Sequence, residues 1–230
     1  MKGSDEIIAV IFDLDGVLVH TDRLHAAAWK VLADRLGLPF DEKDAHRLRG
    51  VSRMDSLDIV LEKSTRRYAA AERERLAEEK NRVYRGLLAG LGPEAVDADV
   101  RHTLAALRAG DILLAVGSSS KNAADILRNT GLRGYFDAVV DGTAITRAKP
   151  DPEVFLRAAE RLGVSPPQAL VVEDAAAGIL AARAGGFSAA AFGGDAAVSP
   201  WAEYRLDRLS QIMSILLPKS RGTIVKKIVQ

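Results

Sequence analysis

An apolar run near the start of the chain, residues 7–12, breaks abruptly into Asp13-Leu14-Asp15-Gly16. A run dominated by β-branched and aromatic residues is typical of a strand that is covered on both faces in a parallel sheet. Ligands of such sheets bind beyond the carboxyl ends of the strands, which is where Asp13 and Asp15 fall. Two residues apart in an extended chain, these carboxylates can project to the same side. We expect a hard cation, Mg²⁺ with a phosphate substrate, to relieve their repulsion.

The same four residues allow two other interpretations. Asp-x-Asp-Gly could begin a calcium-binding loop, but the fifth position of that loop would be the apolar Val17, and a strand rather than a helix precedes it. The residues could also form a polar turn, since Asp and Gly are common in turns. The motif by itself does not decide between a turn and a reactive site.

Length and charge narrow the classes of protein that the chain can represent. Its 230 residues suit one α/β domain or a core with a smaller insertion, and a net charge of +1 gives no electrostatic reason for nucleic acid or membrane partners. The absence of cysteine excludes disulfides and thiol chemistry. Because the first apolar run is too short for a signal peptide or a membrane span, we expect a cytoplasmic protein.

The residues that follow the first strand have helical patterns. Predicted helices lie at about 21–37, which Thr21 and Asp22 can cap, at 41–49, at 53–63 and at 70–91, the last with Leu76, Val83 and Leu87 facing inward. This is more helix than a crossover between two strands needs, so we expect a separate insertion that serves as a lid. The chain then divides into an α/β core, residues 1–19 and 94–230, and a helical cap, residues 20–93.

Strands and helices alternate in the rest of the chain. Predicted strands lie at 112–116, 136–140, 169–172 and 188–192, with helices between them and a terminal helix at about 209–217. This alternation is typical of a doubly wound, Rossmann-like parallel sheet.

Polar side chains follow several of these strands. Besides Asp13 and Asp15 they are Ser118–Ser120, Lys149 and Glu173-Asp174. Taken singly, a serine-rich loop, a Lys-Pro turn and an acidic pair before a helix are ordinary structural features. Together they supply what phosphoryl transfer requires, namely a cation site, an anion cradle, a fixed positive charge and a nucleophile.

The combination resembles the haloacid dehalogenase superfamily of phosphotransferases over nearly the whole chain, in the subgroup with a helical cap after the first motif. The matching segments are Phe-Asp-Leu-Asp-Gly-Val at 12–17, Ser118, Lys-Pro-Asp-Pro at 149–152, and Glu-Asp at 173–174 with Gly178. By this resemblance Asp13 takes the phosphoryl group and Asp15 is the general acid/base, a residue that dehalogenase members lack. The resemblance also implies that Ser118, Ser119 and Lys149 hold the phosphate, and that Mg²⁺ is bound by Asp13, Glu173, Asp174 and the backbone carbonyl of Asp15.

Features of the predicted cap are similar to the β-phosphoglucomutase subfamily. They are His25 and Trp29, the segment 47–53 that includes Gly50, Val51, Ser52 and Arg53, then Lys80 and Asn81, and in the core loop Ser120, Lys121 and Asn122. The resemblance implies a second phosphate site at Arg53, Ser120, Lys121 and Asn122, because a mutase must hold a sugar bisphosphate in either direction. It further implies that Lys80 and Asn81 face the sugar, that Thr21 lies at the hinge and that His25 helps to position Asp15.

Three departures from the subfamily stand out. Residues 95–99 replace the Pro-Gly with which many relatives rejoin the core, His20 stands where an acidic residue is common, and Ala175-Ala176 follow the acidic pair where relatives often have polar residues. The resemblance implies a monomeric enzyme that interconverts β-glucose 1-phosphate and glucose 6-phosphate. A small-molecule phosphatase with the same machinery and a non-catalytic sugar-phosphate-binding protein are the alternatives.

Overall fold

A six-stranded, fully parallel sheet forms the centre of the computed structural model, which describes residues 6–48 and 52–216. The strands are β1 (Ala9–Phe12), β2 (Leu113–Gly117), β3 (Ala138–Val140), β4 (Ala169–Glu173), β5 (Ser188–Phe192) and β6 (Tyr204–Leu206), in the spatial order β3-β2-β1-β4-β5-β6. Because β1 lies between β2 and β4, both of its edges are paired. The expected parallel α/β fold is therefore confirmed.

Helices cover both faces of the sheet. On one side Val10 and Phe12 pack with α5 (Ala98–Ala109), α6 (Ala123–Asn129) and α9 (Ile212–Leu216), and on the other Ala9 and Ile11 pack with α7 (Glu153–Leu162) and α8 (Ala176–Ala184). Successive strand residues point to opposite faces, so one apolar strand supplies both cores. No described helix is both long and apolar enough to cross a bilayer.

Four helices between β1 and β2 form a helical insertion with its own apolar cluster. They are α1 (Asp22–Arg35), α2 (Glu42–Arg47), α3 (Arg53–Leu61) and α4 (Ala70–Leu88). Trp29, Leu32, Leu57 and Leu76 are among the side chains that fill the cluster. Burial in a separate cluster explains how so much helix is accommodated between two neighbouring strands.

Two details differ from the sequence-based expectations. Leu87 of α4 was expected to face inward but is 37% exposed, and Tyr84 and Leu88 are buried instead, so the inner face of the helix is rotated from the predicted one. Strand β6 was not predicted. It has only three residues, and pairing with β5 rather than local periodicity defines it.

Candidate active site

Strand register brings the core motif residues to one edge of the sheet. Phe12 of β1 is level with Val116 of β2 and with Val172 of β4. The next residues along, Asp13 and Glu173, therefore emerge side by side, as the carboxyl ends of parallel strands do. Both are buried.

Lys149 joins these two carboxylates from the loop before α7. Its Nζ donates hydrogen bonds to Asp13 Oδ1 and to Glu173 Oε1. Burial by itself would lower the pKa of Lys149, but the charges of Asp13 and Glu173 more than offset it and raise the pKa. Lys149 is thus a fixed positive charge beside Asp13.

Three carboxylates at this edge can share one cation. Oxygen atoms of Asp13, Glu173 and Asp174 lie within 4.8 Å of one another. Burial, together with the charges of Asp13 and Glu173, raises the pKa of Asp174 to about 8, and burial also raises the pKa of Glu173. A set of oxygen ligands with an excess of buried negative charge fits Mg²⁺.

Glycines leave room for these carboxylates. A Cβ placed on Gly16 would overlap the carboxylate of Asp174, and one on Gly178 would overlap that of Glu173. Gly16 also has a φ of 92°, which side chains other than glycine rarely adopt. The backbone of Ala175 donates a hydrogen bond of 3.0 Å to Glu173 Oε2. Ala175 therefore orients the carboxylate of Glu173 through its main chain.

Asp15 accepts a hydrogen bond from the hydroxyl of Thr21. Burial and the neighbouring charge of Asp13 raise the pKa of Asp15 to about 7, against the lowering effect of Thr21. The expected capping role of Thr21 is wrong in one respect, because its side chain makes no cap hydrogen bond to α1 and turns to Asp15 instead. A carboxyl group with a pKa near neutrality can both accept and donate a proton.

The loop after β2 carries the serines of the predicted phosphate site. Ser118 is buried and its Oγ accepts the backbone N–H of Ser120 at 3.1 Å. Ser119 and Lys121 are exposed, and Ser120 is half-buried. Among the described residues, no side-chain hydrogen bond or ion pair joins Ser119 or Lys121 to the carboxylate edge.

A cationic and aromatic cluster in the helical insertion faces the same region. Lys80 is 3% exposed, donates to Nδ1 of His25 at 2.8 Å, and lies 4.8 Å from the ring centres of both Trp29 and Tyr84. Burial and the charge of Arg53 lower the pKa of Lys80 to about 7. Burial and the charge of Lys80 lower the pKa of His25 to about 3. His25 is therefore a neutral acceptor at ordinary pH.

Asn81 connects the insertion to the core loop. Its Oδ1 accepts hydrogen bonds from Arg53 Nη2 at 3.0 Å and from Asn122 Nδ2 at 3.2 Å. Ser52 caps α3 by accepting the backbone N–H of Asp55 at 3.3 Å. The other predicted residues of this segment, Gly50 and Val51, lie outside the described residues.

Tyr84 belongs to the cluster, although it was not among the residues predicted from the sequence. Its ring stacks on His25 with centroids 3.9 Å apart. Its buried hydroxyl has no hydrogen-bond partner among the described residues, and burial raises its pKa, so it stays protonated. The signal that was available is its spacing of four residues from Lys80, which places both on one helix face.

The two segments that link the insertion to the core also approach each other. Nε2 of His20 lies 4.0 Å from Oδ2 of Asp97. Both residues belong to the departures from the subfamily, and both are exposed. A histidine and a carboxylate thus lie close together where the two linking segments meet.

Comparisons with known proteins agree with this geometry. The model of the haloacid dehalogenase-like hydrolase family matches residues 7–186. A β-phosphoglucomutase of Bacillus subtilis is 41% identical over 187 residues, which cover 80% of this chain and 83% of that protein. A phosphorylated carbohydrates phosphatase of Thermotoga maritima is 35% identical over 181 residues, covering 77% and 81%. The crystal structure of a β-phosphoglucomutase from Clostridium difficile superposes with a TM-score of 0.81 at 34% identity, covering 90% and 93%.

Proposed function

The chain belongs to the haloacid dehalogenase-like hydrolase family, and from this premise we propose that it is a Mg²⁺-dependent β-phosphoglucomutase. It would convert β-D-glucose 1-phosphate to glucose 6-phosphate through the 1,6-bisphosphate. The general reaction, phosphoryl transfer, is common to the mutases and the sugar phosphatases among its relatives.

One observation carries the choice of a mutase. Asn81 accepts hydrogen bonds from Arg53 of the insertion and from Asn122 of the core loop, so a second polar cluster exists besides the one around Asp13. Because a sugar bisphosphate has two phosphates, its enzyme needs two anion sites. A guanidinium can bind a phosphate through two parallel hydrogen bonds, which suits Arg53 to the remote site.

The reaction would proceed on the carboxylate of Asp13. A carboxylate oxygen of Asp13 attacks the phosphorus of the bisphosphate, and the bond from phosphorus to the sugar oxygen breaks. Asp15 gives its proton to that oxygen and, in the reverse sense, accepts the proton of the hydroxyl that attacks the aspartyl-phosphate. A pKa of Asp15 of about 7 suits both directions. The ammonium of Lys149 stabilises negative charge on the transferring phosphoryl oxygens.

Asp13, Glu173 and Asp174 are the residues that would hold Mg²⁺, with the backbone carbonyl of Asp15 as a further ligand. When bound, the ion neutralises phosphoryl oxygens and so lowers the cost of bringing an anion to Asp13. The glycines at positions 16 and 178 leave the space that the carboxylates need.

The helical insertion would act as a cap, with residues 20–93 moving relative to residues 1–19 and 94–230. Closing it brings Lys80 and His25 towards the sugar and excludes water, which favours transfer to a sugar hydroxyl over hydrolysis. Thr21, at the junction, would couple cap position to Asp15. We further propose that the enzyme acts as a monomer on small sugar phosphates, without nucleic acid or membrane partners.

The phosphatase is the second candidate, in which water takes the place of the second sugar hydroxyl. It is supported by the Thermotoga maritima relative, which is named for phosphorylated carbohydrates. The two candidates use the same carboxylates and differ in whether the remote anion site is needed.

The test supplies β-glucose 1-phosphate with Mg²⁺ and a trace of 1,6-bisphosphate, and records glucose 6-phosphate and free phosphate together. Isomerisation with little free phosphate supports the mutase, and free phosphate alone identifies a phosphatase. Arg53→Ala should slow isomerisation about 10²-fold while hydrolysis of p-nitrophenyl phosphate changes little, because only the bisphosphate reaches the remote site. Arg66→Ala, at an exposed arginine of the insertion paired with Glu72, is the matched control.

A further inference from the structure

Glu153, at the start of α7, is a buried carboxylate that the proposed reaction does not use. It is 8% exposed. Its Oε2 accepts three hydrogen bonds from the preceding loop: from the backbone N–H of Thr146 at 3.0 Å, from the hydroxyl of Thr146 at 2.9 Å and from the backbone N–H of Arg147 at 2.8 Å. Its Oε1 accepts from Nε of Arg157 at 2.9 Å. Both oxygens of the carboxylate are therefore engaged.

These contacts differ from helix capping. An acidic side chain at a helix start ordinarily accepts N–H groups of its own first turn. Here Asp151 does so, since its Oδ1 accepts the backbone N–H of Glu153 at 3.0 Å. Glu153 instead binds main-chain groups upstream of the helix. These hydrogen bonds tie the loop to α7, and they are not needed to cap the N-terminus of the helix.

The tied loop carries Lys149, two residues after Arg147. A loop residue lacks the neighbouring strands that fix Asp13 and Glu173, so its position depends on such ties. Helix α7 supports Lys149 at a second point as well, because the ring of Phe155 lies 4.7 Å from its Nζ and is fully buried. Glu153 holds the main chain of the loop, and Phe155 lies beneath the ammonium.

The carboxylate keeps its charge over the working range of pH. Backbone N–H donation from Arg147 is the largest of the effects that lower the pKa of Glu153 to about 2. The tie is therefore made by an ionised acceptor, which gives the stronger class of hydrogen bond. It does not switch with pH near neutrality.

We infer that Glu153 is a positioning residue for phosphoryl transfer, which fixes the loop so that the ammonium of Lys149 is held against Asp13. The inference rests on the proposed function, in which this ammonium meets the transferring phosphoryl group. Misplacement of such a group by about 1 Å can reduce turnover about 10²-fold.

Three variants distinguish the hydrogen bonds that Glu153 accepts from the loop from its ion pair with Arg157. Glu153→Leu removes all acceptor atoms at similar size, Glu153→Gln keeps one oxygen for the loop, and Arg157→Met removes only the guanidinium. We expect turnover of p-nitrophenyl phosphate to fall about 10²-fold in Glu153→Leu and far less in the other two. If Glu153 acted only through its charge on Arg157, turnover would fall as much in Glu153→Gln as in Glu153→Leu.

A second readout does not depend on turnover. Competitive acetylation of the folded protein with acetic anhydride, followed by mass spectrometry, reports access to Lys149 relative to the exposed Lys30. Labelling of Lys149 should rise severalfold in Glu153→Leu and remain near the wild-type level in Glu153→Gln. If Glu153→Leu does not fold, Glu153→Asp, whose shorter side chain cannot span the same contacts, replaces it.

The two readouts keep the proposals apart. If the wild-type protein shows no phosphoryl transfer, the proposed function is wrong. Labelling of Lys149 would still test whether Glu153 holds the loop. An active wild type with unchanged turnover and labelling in the folded Glu153→Leu variant would overturn the positioning role.

Discussion

The carboxyl groups at the sheet edge and the basic groups of the helical insertion have pKa shifts of opposite sign. In the core, burial and mutual repulsion raise the pKa of Asp15 to about 7 and that of Asp174 to about 8. In the insertion, burial and neighbouring cations lower the pKa of Lys80 to about 7 and that of His25 to about 3. Each region therefore holds charges that its own surroundings disfavour.

The opposite directions of the pKa shifts indicate which compensating charge each region lacks. A divalent cation would relieve the excess of buried negative charge in the core, and an anionic ligand would relieve the excess of positive charge around Lys80 and Arg53. A sugar phosphate with Mg²⁺ supplies both at once. The two regions are thus complementary through the ligands that they would bind, and the Lys149 ammonium is already paired with Asp13 and Glu173 at the sheet edge.

The largest effect is expected from Asp13→Asn on the core side. Without the nucleophilic carboxylate, phosphoryl transfer should fall on the order of 10⁴-fold or more. Mass spectrometry after mixing with acetyl phosphate and Mg²⁺ should show one phosphoryl group on the wild type and none on the variant. Asp34→Asn, at an exposed aspartate paired with Lys30, is the control. Equal phosphorylation of Asp13→Asn would remove Asp13 from the chemistry, and an unlabelled, inactive wild type would favour a binding protein.

The next effect concerns the insertion. Lys80→Met should lower kcat/KM for sugar phosphates about 10-fold to 10²-fold, since a charge-assisted hydrogen bond contributes about 1.5–3 kcal/mol. Because Lys80 is cationic only below a pKa of about 7, kcat/KM of the wild type should fall as pH rises through that value. The Lys80→Arg variant keeps its positive charge above pH 7, so its kcat/KM should no longer fall as pH rises. A fall that persists in Lys80→Arg would assign it to another group.

Removal of the metal ion tests the excess of negative charge among the core carboxylates. Mg²⁺ at about 100 times its Kd should raise the free energy of unfolding by about 2.7 kcal/mol, measured by urea unfolding with and without EDTA. Asp174 has a raised pKa, so its contribution to stability is present at low pH and is lost as pH rises through about 8. Metal-free Asp174→Ala should therefore lose less stability than the metal-free wild type between pH 4 and 8, and should respond weakly to Mg²⁺. An equal Mg²⁺ response in both proteins would place the ion elsewhere.

The smallest effect is expected at Thr21, which lies where the two regions meet. Its hydroxyl lowers the pKa of Asp15, so Thr21→Val should raise that pKa further above 7 and move the acid limb of kcat to higher pH. A net hydrogen-bond contribution of about 1 kcal/mol corresponds to a shift of just under one pH unit. Thr21→Ser keeps the hydroxyl and should retain the wild-type profile. If both variants shift alike, packing of the methyl group rather than the hydrogen bond is responsible.

Sequence patterns predicted five of the six strands of the sheet and the four helices of the insertion. Strands buried on both faces are recognisable as apolar runs, and their carboxyl ends gave the positions of Asp13 and Glu173. Strand β6, at Tyr204–Leu206, has no such run and forms only because β5 offers an unpaired edge. In α4 the inner face could not be fixed by periodicity alone, and Tyr84 rather than Leu87 is buried.

The parallel fold and the residue types at the strand ends could be predicted without the structure, because both follow from local apolar patterns and from a general rule of sheet topology. Three contacts could be found only in the folded protein: Lys80 with His25, Asn81 with both Arg53 and Asn122, and Glu153 with the loop that precedes Lys149. The pKa shifts belong to this second group. They depend on burial and on distances between residues far apart in the chain, which no local pattern encodes.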